Sequence, residues 1–170
     1  MRKTLWWIGA TAVAAAMAGC NSTGCLDNGS SIPLAGFYSS ATYQQVALDS
    51  LEIYGIGAPN DSLLMGRGSH SQVYLPMNPA ADMVEWQIKY MYKELADAGV
   101  TDDILIYYRA FLYFASEACG AMYAYRITGV DYTRNLIDSI GLTDSLITNT
   151  DIERIKIFFR TSDAGEGATR

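Results

Sequence analysis

The stretch Val84-Glu85-Trp86-Gln87-Ile88-Lys89-Tyr90-Met91-Tyr92 decides the fold class, because large apolar residues alternate in it with charged and polar ones. Met91 is the one break in this alternation. A period of two over such a length predicts a β-strand with one buried face. A helix is the competing interpretation, since residues 93–99 contain good helix formers before a possible glycine cap. We predict a strand whose last residues form a helical turn or a hairpin connection.

A second apolar stretch runs from Ile104 to Ala115 and is apolar at both odd and even positions. This pattern, rich in aromatic and β-branched residues, predicts a strand covered on both sides. Short strands separated by turn residues indicate an all-β domain built as an antiparallel β-sandwich, with a partly open β-barrel as the alternative. Further strands are predicted at Val46–Ile56, Gln72–Leu75, Ala121–Thr128, Leu136–Leu142 and Ile152–Phe159.

The first residues have the order of a secretory signal: the basic residues Arg2 and Lys3, an apolar stretch, and small residues before Cys20. The apolar stretch is shorter than the roughly 20 residues that a membrane-spanning helix needs, so removal is expected rather than retention. We predict four regions: a lipoprotein signal peptide at 1–19, a lipidated tether at 20–31, a β-rich domain at 32–160 and a flexible tail at 161–170.

The segment Met17-Ala18-Gly19-Cys20 resembles the bacterial lipobox, with Met17 where leucine is commonest. It predicts cleavage before Cys20 and acylation of that cysteine, which would anchor the protein stably in a membrane. The alternative is an ordinary signal followed by a buried or disulfide-bonded Cys20.

The chain carries 18 acidic and 12 basic residues, a net charge of −6, and loss of Arg2 and Lys3 with the signal would make it more acidic. An acidic chain without a basic cluster argues against nucleic acid as a partner and against electrostatic adhesion to anionic lipid. Membrane contact is therefore predicted through the lipid on Cys20.

Two cysteines remain after lipidation, Cys25 and Cys119, in a compartment that favours oxidation. An even pair predicts a disulfide. The alternatives are two free thiols, or a metal site shared with His70, which would still lack a fourth zinc ligand. We predict no metal and no cofactor. Cys25 lies five residues after the lipidated Cys20, and five extended residues reach only about 17 Å. A Cys25–Cys119 bridge would therefore hold the domain near the membrane surface.

No catalytic constellation is evident, and we predict that the protein is not an enzyme. His70, the only histidine, lies in a glycine and serine loop, where a solvated side chain is expected. Asp102 with Asp103 and Glu85 with Glu94 are the candidate acidic pairs for glycoside cleavage. Adjacent strand residues point to opposite faces, however, and some acidic pair is inevitable in this composition.

The twelve tyrosines are the one compositional excess. Most of them fall in predicted strands, where packing is the usual role of an aromatic ring. The functional interpretation is a stacking platform for sugar rings or peptide at an exposed end of the sheet. Its candidate residues are Tyr90, Tyr92, Tyr123 and Tyr125.

Three segments together resemble an uncharacterised lipoprotein family of gut Bacteroidota, a domain of unknown function. They are Ile53-Tyr54-Gly55-Ile56-Gly57, Val73-Tyr74-Leu75-Pro76-Met77-Asn78 and Ser116-Glu117-Ala118-Cys119-Gly120 followed by Met122-Tyr123-Ala124-Tyr125. The resemblance runs from Cys25 to about Phe159 and implies a cysteine pair joining tether and sheet, with no known activity. Lipoproteins displayed on the surface in that phylum often carry acidic residues just after the lipidated cysteine. Asn21-Ser22-Thr23-Gly24 departs from this, which favours the periplasmic face of the outer membrane.

These observations predict a non-enzymatic envelope lipoprotein that binds a partner protein or a cell-wall component. The alternatives are a pilus or adhesin accessory subunit and, more weakly, a cryptic hydrolase.

Overall fold

The computed structural model describes residues 30–161, which form two β-sheets and one short helix. The predicted signal peptide, Cys20, Cys25 and the residues after Thr161 lie outside the described residues. The helix α1 spans Lys93–Asp97. The strands are β1 (Leu34–Ser39), β2 (Leu51–Ile56), β3 (Leu63–Met65), β4 (Gln72–Tyr74), β5 (Met83–Tyr90), β6 (Thr101–Ser116), β7 (Gly120–Tyr132), β8 (Ile137–Leu142), β9 (Leu146–Ile147) and β10 (Glu153–Phe159).

The larger sheet has six strands in the order β3-β2-β5-β6-β7-β9, and every neighbouring pair is antiparallel. It curls into a half-barrel that packs against a second sheet of order β4-β1-β10-β8. The predicted all-β class is confirmed. One pair departs from the antiparallel pattern, since β1 and β10 are parallel. These two strands are far apart in the chain and no hairpin joins them, so no turn imposes their relative direction.

The alternating stretch forms β5 as predicted, with Trp86, Ile88 and Tyr90 buried on one face. Helix α1 follows at once, which confirms the predicted helical turn. Gly99 then takes a φ of 64°, a conformation open to glycine, and its N–H donates to the carbonyl of Ala96. The chain thereby reverses into β6.

The prediction that Ile104–Ala115 is covered on both sides is wrong. Only the first half of β6 is buried, and only on one face, where Ile104, Ile106 and Tyr108 reach into the core. The reason is length: β6 extends well past its neighbour β5, whose pairing with β6 ends at Tyr107. The sequence does not predict β1, which lacks a clear alternation, or β3 and β9, which have only three and two residues.

A buried carboxylate joins the two sheets at the corner where the chain leaves β7 for β8. Asp102, fully buried near the start of β6, accepts hydrogen bonds from five donors. The donors are the Tyr90 hydroxyl at 2.7 Å, the Thr133 hydroxyl at 2.7 Å and the backbone N–H groups of Asn135, Leu136 and Ile137 at 2.8, 2.7 and 3.0 Å. One side chain thus accepts hydrogen bonds from the backbone N–H groups of the crossing segment.

Two opposing effects act on the pKa of Asp102. Burial raises this pKa, while the hydrogen bonds from Asn135, Thr133 and Tyr90 lower it, and the net result is a pKa below the usual aspartate value. Burial of the Tyr90 hydroxyl and its hydrogen bond to Asp102 raise the pKa of that hydroxyl. Asp102 is therefore a structural anion at neutral pH.

We expect Asp102→Asn to lower the free energy of unfolding at neutral pH by about 2–4 kcal/mol, because an amide nitrogen would face donors that need an acceptor. A folded-state pKa below the unfolded value of about 3.9 means that this stabilisation exists above that pH and is lost below it. Urea unfolding should therefore show the gap to wild type narrowing towards about pH 3.

The matched control is Asp103→Asn, since Asp103 points to the other face and accepts one side-chain hydrogen bond from Gln87. It should cost less than about 1 kcal/mol. An Asp102→Asn gap that stays constant with pH would contradict the assignment of a charged Asp102.

Candidate functional site

The far end of the β6–β7 hairpin has an open strand edge. On the side away from β7, β5 accompanies β6 only as far as Tyr107, and the N–H of Tyr108 then donates to the carbonyl of Asp82. From Arg109 to Ser116, this side of β6 meets no further strand within residues 30–161. A shallow depression lined by residues 79–82 and 108–110 lies where the edge opens. The backbone edge there is available for pairing.

Three large apolar side chains lie on one face of this hairpin end. Leu112 lies directly opposite Tyr123 in the β6–β7 register, and Phe114 follows Leu112 by two residues. The three side chains therefore share one face of the hairpin. Their exposed fractions are 65%, 44% and 67%. The same face holds the buried residues Tyr108 and Tyr125 nearer the core. We call Leu112, Phe114 and Tyr123 the hairpin face; it continues the core face beyond the second sheet.

The turn of the hairpin contains Cys119 and is fastened to the loop before β10. The N–H of Cys119 donates to the Ser116 hydroxyl, and the Asn149 side-chain amide lies 3.6 Å from the Cys119 sulfur. The Tyr113 hydroxyl donates to Asn149 Oδ1 at 2.6 Å and accepts from the Asn149 N–H at 3.0 Å. The long hairpin is therefore held firmly at its end.

The four tyrosines proposed as a stacking platform do not meet on one surface. Tyr90 and Tyr125 are 4% and 3% exposed, so neither ring offers a face to a ligand. Tyr92 and Tyr123 are exposed, but they lie near opposite ends of β6. Only Tyr123 belongs to the hairpin face.

The buried tyrosine hydroxyls instead hold segments that cross between the sheets. Between β4 and β5 the chain passes Met77 and Asn78; the Tyr125 hydroxyl donates to the Met77 carbonyl, and the Tyr108 hydroxyl donates to the Asn78 carbonyl and accepts its N–H. The Tyr108 and Tyr125 rings meet edge to face at 5.4 Å. An amphipathic side chain suits this task, because its ring packs in the core while its hydroxyl reaches irregular backbone.

Leu112 and Phe114 were not singled out from the sequence, because apolar residues in a strand ordinarily indicate core. The apolar residues at both parities are visible in the sequence, but the greater length of β6 and β7, which leaves them uncovered, is known only from the structure. Such a pattern in a strand longer than its neighbours is consistent with a face that the protein itself does not cover.

The other candidate side chains do not converge. His70 is half-buried with its ring against Gly68, where an added Cβ would lie 2.8 Å from Nε2. Asp102 and Asp103 point to opposite faces of β6, while Glu85 and Glu94 sit on β5 and α1. Across residues 30–161, no three His, Cys, Asp or Glu side chains are grouped closely enough to hold a metal ion. Nor does any helix in that range have the length and apolarity to span a membrane.

A family model described as a family of unknown function (DUF6452) matches residues 50–159, which is more than half of the chain. The chain belongs to the DUF6452 family. The DUF6452 match begins just before β2 and ends with β10, so it contains Asp102, the hairpin face and Cys119 but neither β1 nor Cys25. No curated protein and no solved structure matches the chain.

We expect Leu112→Ser and Phe114→Ser to change the free energy of unfolding by no more than about 0.5 kcal/mol each, because both side chains are already exposed. Ile106→Ala, at a buried position of the same strand, should cost about 2–5 kcal/mol. Urea unfolding of the three variants measures the difference. A loss above about 1 kcal/mol in either serine variant would show that the hairpin face stabilises the fold itself.

Proposed function

We propose that this DUF6452 protein is a lipid-anchored binding protein of the bacterial cell envelope, without enzymatic activity, that captures an extended apolar segment of an envelope partner. The observation that carries the proposal is the coincidence, at one end of the hairpin, of an open strand edge with the exposed hairpin face. A strand that adds to an open edge gains main-chain hydrogen bonds, while its alternate side chains find apolar contacts.

The chemistry of the hairpin end favours a partner over solvent. Between Arg109 and Arg126 the hairpin carries a single charged residue, Glu117 in the turn. Natural edge strands are usually protected by charged residues, proline or a covering element. No charged residue and no proline lies on β6 between Ala110 and Ala115, and no strand within residues 30–161 covers this edge where the apolar side chains are exposed.

Membrane anchoring is supported by the order of residues before and at Cys20. A basic start, an apolar stretch and the lipobox-like Met17-Ala18-Gly19-Cys20 together favour cleavage and acylation. The resemblance to lipoproteins of gut Bacteroidota favours the outer membrane, and the polar residues 21–24 favour its periplasmic face. The lipid on Cys20 would provide the membrane contact that an acidic chain cannot obtain through charge.

A disulfide between Cys25 and Cys119 is part of the proposal. Because β1 and β10 are parallel, the segments that precede them emerge at the same end of their sheet. Asn149 in the segment before β10 lies beside Cys119, and the described chain begins at Ser30, just before β1. Ser30 is five residues after Cys25, and this stretch can span up to about 17 Å, which puts Cys119 within reach of Cys25. The bridge would put the hairpin end close to the anchor.

A second candidate function is an accessory subunit of a pilus or adhesin fibre. The open edge of β6 favours it, because fibre subunits of this kind pair by accepting a donated strand. The partner segment would then belong to a neighbouring fibre subunit.

We expect Cys20→Ala, made with an ordinary cleavable secretory signal in place of residues 1–19, to move the protein from the membrane fraction to the soluble fraction in a folded state, because the mature chain would lose its acyl chains. Cell fractionation followed by immunoblotting measures this. Cys25→Ser is the matched control: it removes a neighbouring cysteine and should leave the protein in the membrane fraction.

Peptide mapping without reductant tests whether Cys25 and Cys119 form a disulfide. It should recover a linked Cys25–Cys119 peptide from the wild type and from Cys20→Ala. Membrane retention of Cys20→Ala would remove the lipid anchor from the proposal, and alkylation of both remaining thiols would remove the disulfide.

We expect a photo-crosslinking residue in place of Leu112 to give, in intact cells, one adduct whose mapped peptide is an extended apolar segment of an envelope protein. The same residue in place of Leu63, which is 54% exposed on the far edge strand β3, should give no such adduct. Adding Phe114→Lys should abolish the Leu112 adduct, because a buried ammonium would be left unpaired.

An adduct formed only with lipid, or only with residues 20–31 of the same chain, would contradict the partner assignment. An adduct with a second copy of this protein would favour the fibre-subunit alternative.

A further inference from the structure

Two arginines face each other across the outer side of the hairpin. Arg109 on β6 is the register partner of Arg126 on β7, so both side chains leave the same face of the sheet. Their Cα atoms are about 4.5–5.5 Å apart, as in any directly opposed antiparallel pair. Both residues are exposed. They lie on the face opposite the hairpin face, since their strand positions have the other parity.

These two cations differ from the other lysines and arginines of residues 30–161 in having no partner. Each of the others has a carboxylate or an aromatic ring beside it, and neither Arg109 nor Arg126 has one within the described chain. The other pairs are Arg67 with Glu52, Lys93 with Asp97, Arg154 with Asp144, Lys156 with Glu153, Arg160 with Asp138, Lys89 with Tyr54 and Arg134 with Tyr132.

Like charges directly opposed on neighbouring strands destabilise a sheet. The described residues include many carboxylates that could relieve such a pair, yet none of them lies beside it. An anion from outside the chain would remove the repulsion and turn both guanidinium groups into donors. The unfavourable pair is thus consistent with a binding site.

Two aromatic side chains lie beside the arginine pair. Tyr107 and Phe111 flank Arg109 at two residues on either side, on the same face, with exposed fractions of 36% and 38%. The residue opposite Tyr107 is Gly129, whose added Cβ would lie 3.4 Å from the tyrosine ring. Tyr107 therefore lies over β7 beside the arginines. The pair sits between two rings about 13–14 Å apart along the strand.

We propose that Arg109 and Arg126 bind a phosphomonoester group. Guanidinium groups match phosphate oxygens through paired N–H donors, and two of them supply two positive charges. A phosphomonoester carries close to two negative charges at neutral pH, whereas a carboxylate carries one. The flanking rings would contact the sugar or glycerol body that bears the phosphate. The group could belong to a soluble sugar phosphate or to a lipid headgroup.

The site is independent of the proposed function, because it lies on the other face of the hairpin and requires neither the anchor nor the open edge. The test uses the full chain, purified in detergent from whichever cell fraction contains it. Inorganic phosphate, glucose 1-phosphate and acetate are titrated by calorimetry, and phosphatidic acid and phosphatidylcholine vesicles are compared by flotation.

We expect the phosphomonoester probes to bind and acetate to bind at least about tenfold more weakly, since it can neutralise only one guanidinium. The double variant Arg109→Gln with Arg126→Gln should lose at least about tenfold in affinity, and Arg109→Lys should lose less. The melting temperature of the double variant should stay the same or rise, because the repulsion between the two arginines is gone. A merely structural arginine pair would show the opposite change. Arg67→Gln, at an exposed ion-paired arginine, is the control and should bind as the wild type does.

Binding of glucose 1-phosphate alone assigns the site to a soluble ligand, and selective flotation with phosphatidic acid vesicles assigns it to a lipid headgroup. The proposal is overturned if no phosphomonoester probe binds, if acetate binds equally well, or if the double variant binds as the wild type does. Failure here leaves the crosslinking result at Leu112 unaffected.

Discussion

The interaction on which the rest of the structure depends is the buried carboxylate of Asp102. It lies near the start of β6 in the six-stranded sheet and accepts hydrogen bonds from the segment that leads to β8 in the other sheet. A chain that crosses between sheets must leave its ladder of hydrogen bonds, and buried donors without acceptors are costly. One ionised side chain supplies the acceptors for this corner, at the point where β8 begins.

The tyrosines serve the same constraint at other crossings. Tyr90 donates to Asp102, Tyr108 and Tyr125 hold the segment between β4 and β5, and Tyr113 holds Asn149 between β9 and β10. A two-sheet domain whose chain changes sheet repeatedly needs polar groups that can reach backbone from inside a core. Tyrosine does this without burying a charge. The compositional excess of tyrosine therefore has a structural cause in these positions, whereas Tyr107 and Tyr123 belong to the proposed binding surfaces.

The hairpin of β6 and β7 is the part of the molecule that exceeds what the fold requires. Its base belongs to the core, and its end carries an exposed apolar face. Within residues 30–161, one edge of this end is open, and the two arginines on its reverse side have no carboxylate or ring beside them. The contact of Tyr113 with Asn149 holds this end in place. A projecting element that is rigid and chemically different on its two faces can present two surfaces without any rearrangement of the core.

The sequence by itself determined the all-β class, strand β5 and the helical turn after it, because alternation with period two reports directly which side chains are buried. It also placed β4, β8 and β10 to within one residue at each end, and it found β7 but ended it at Thr128, four residues too early. It did not distinguish core from uncovered surface in β6, since an apolar residue such as Phe114 looks the same whether or not a second sheet lies over it. Only the tertiary structure decided that, through the shorter length of β5. The pairing of Arg109 with Arg126 was likewise invisible in the chain, because their neighbourhood is created by the register of the hairpin.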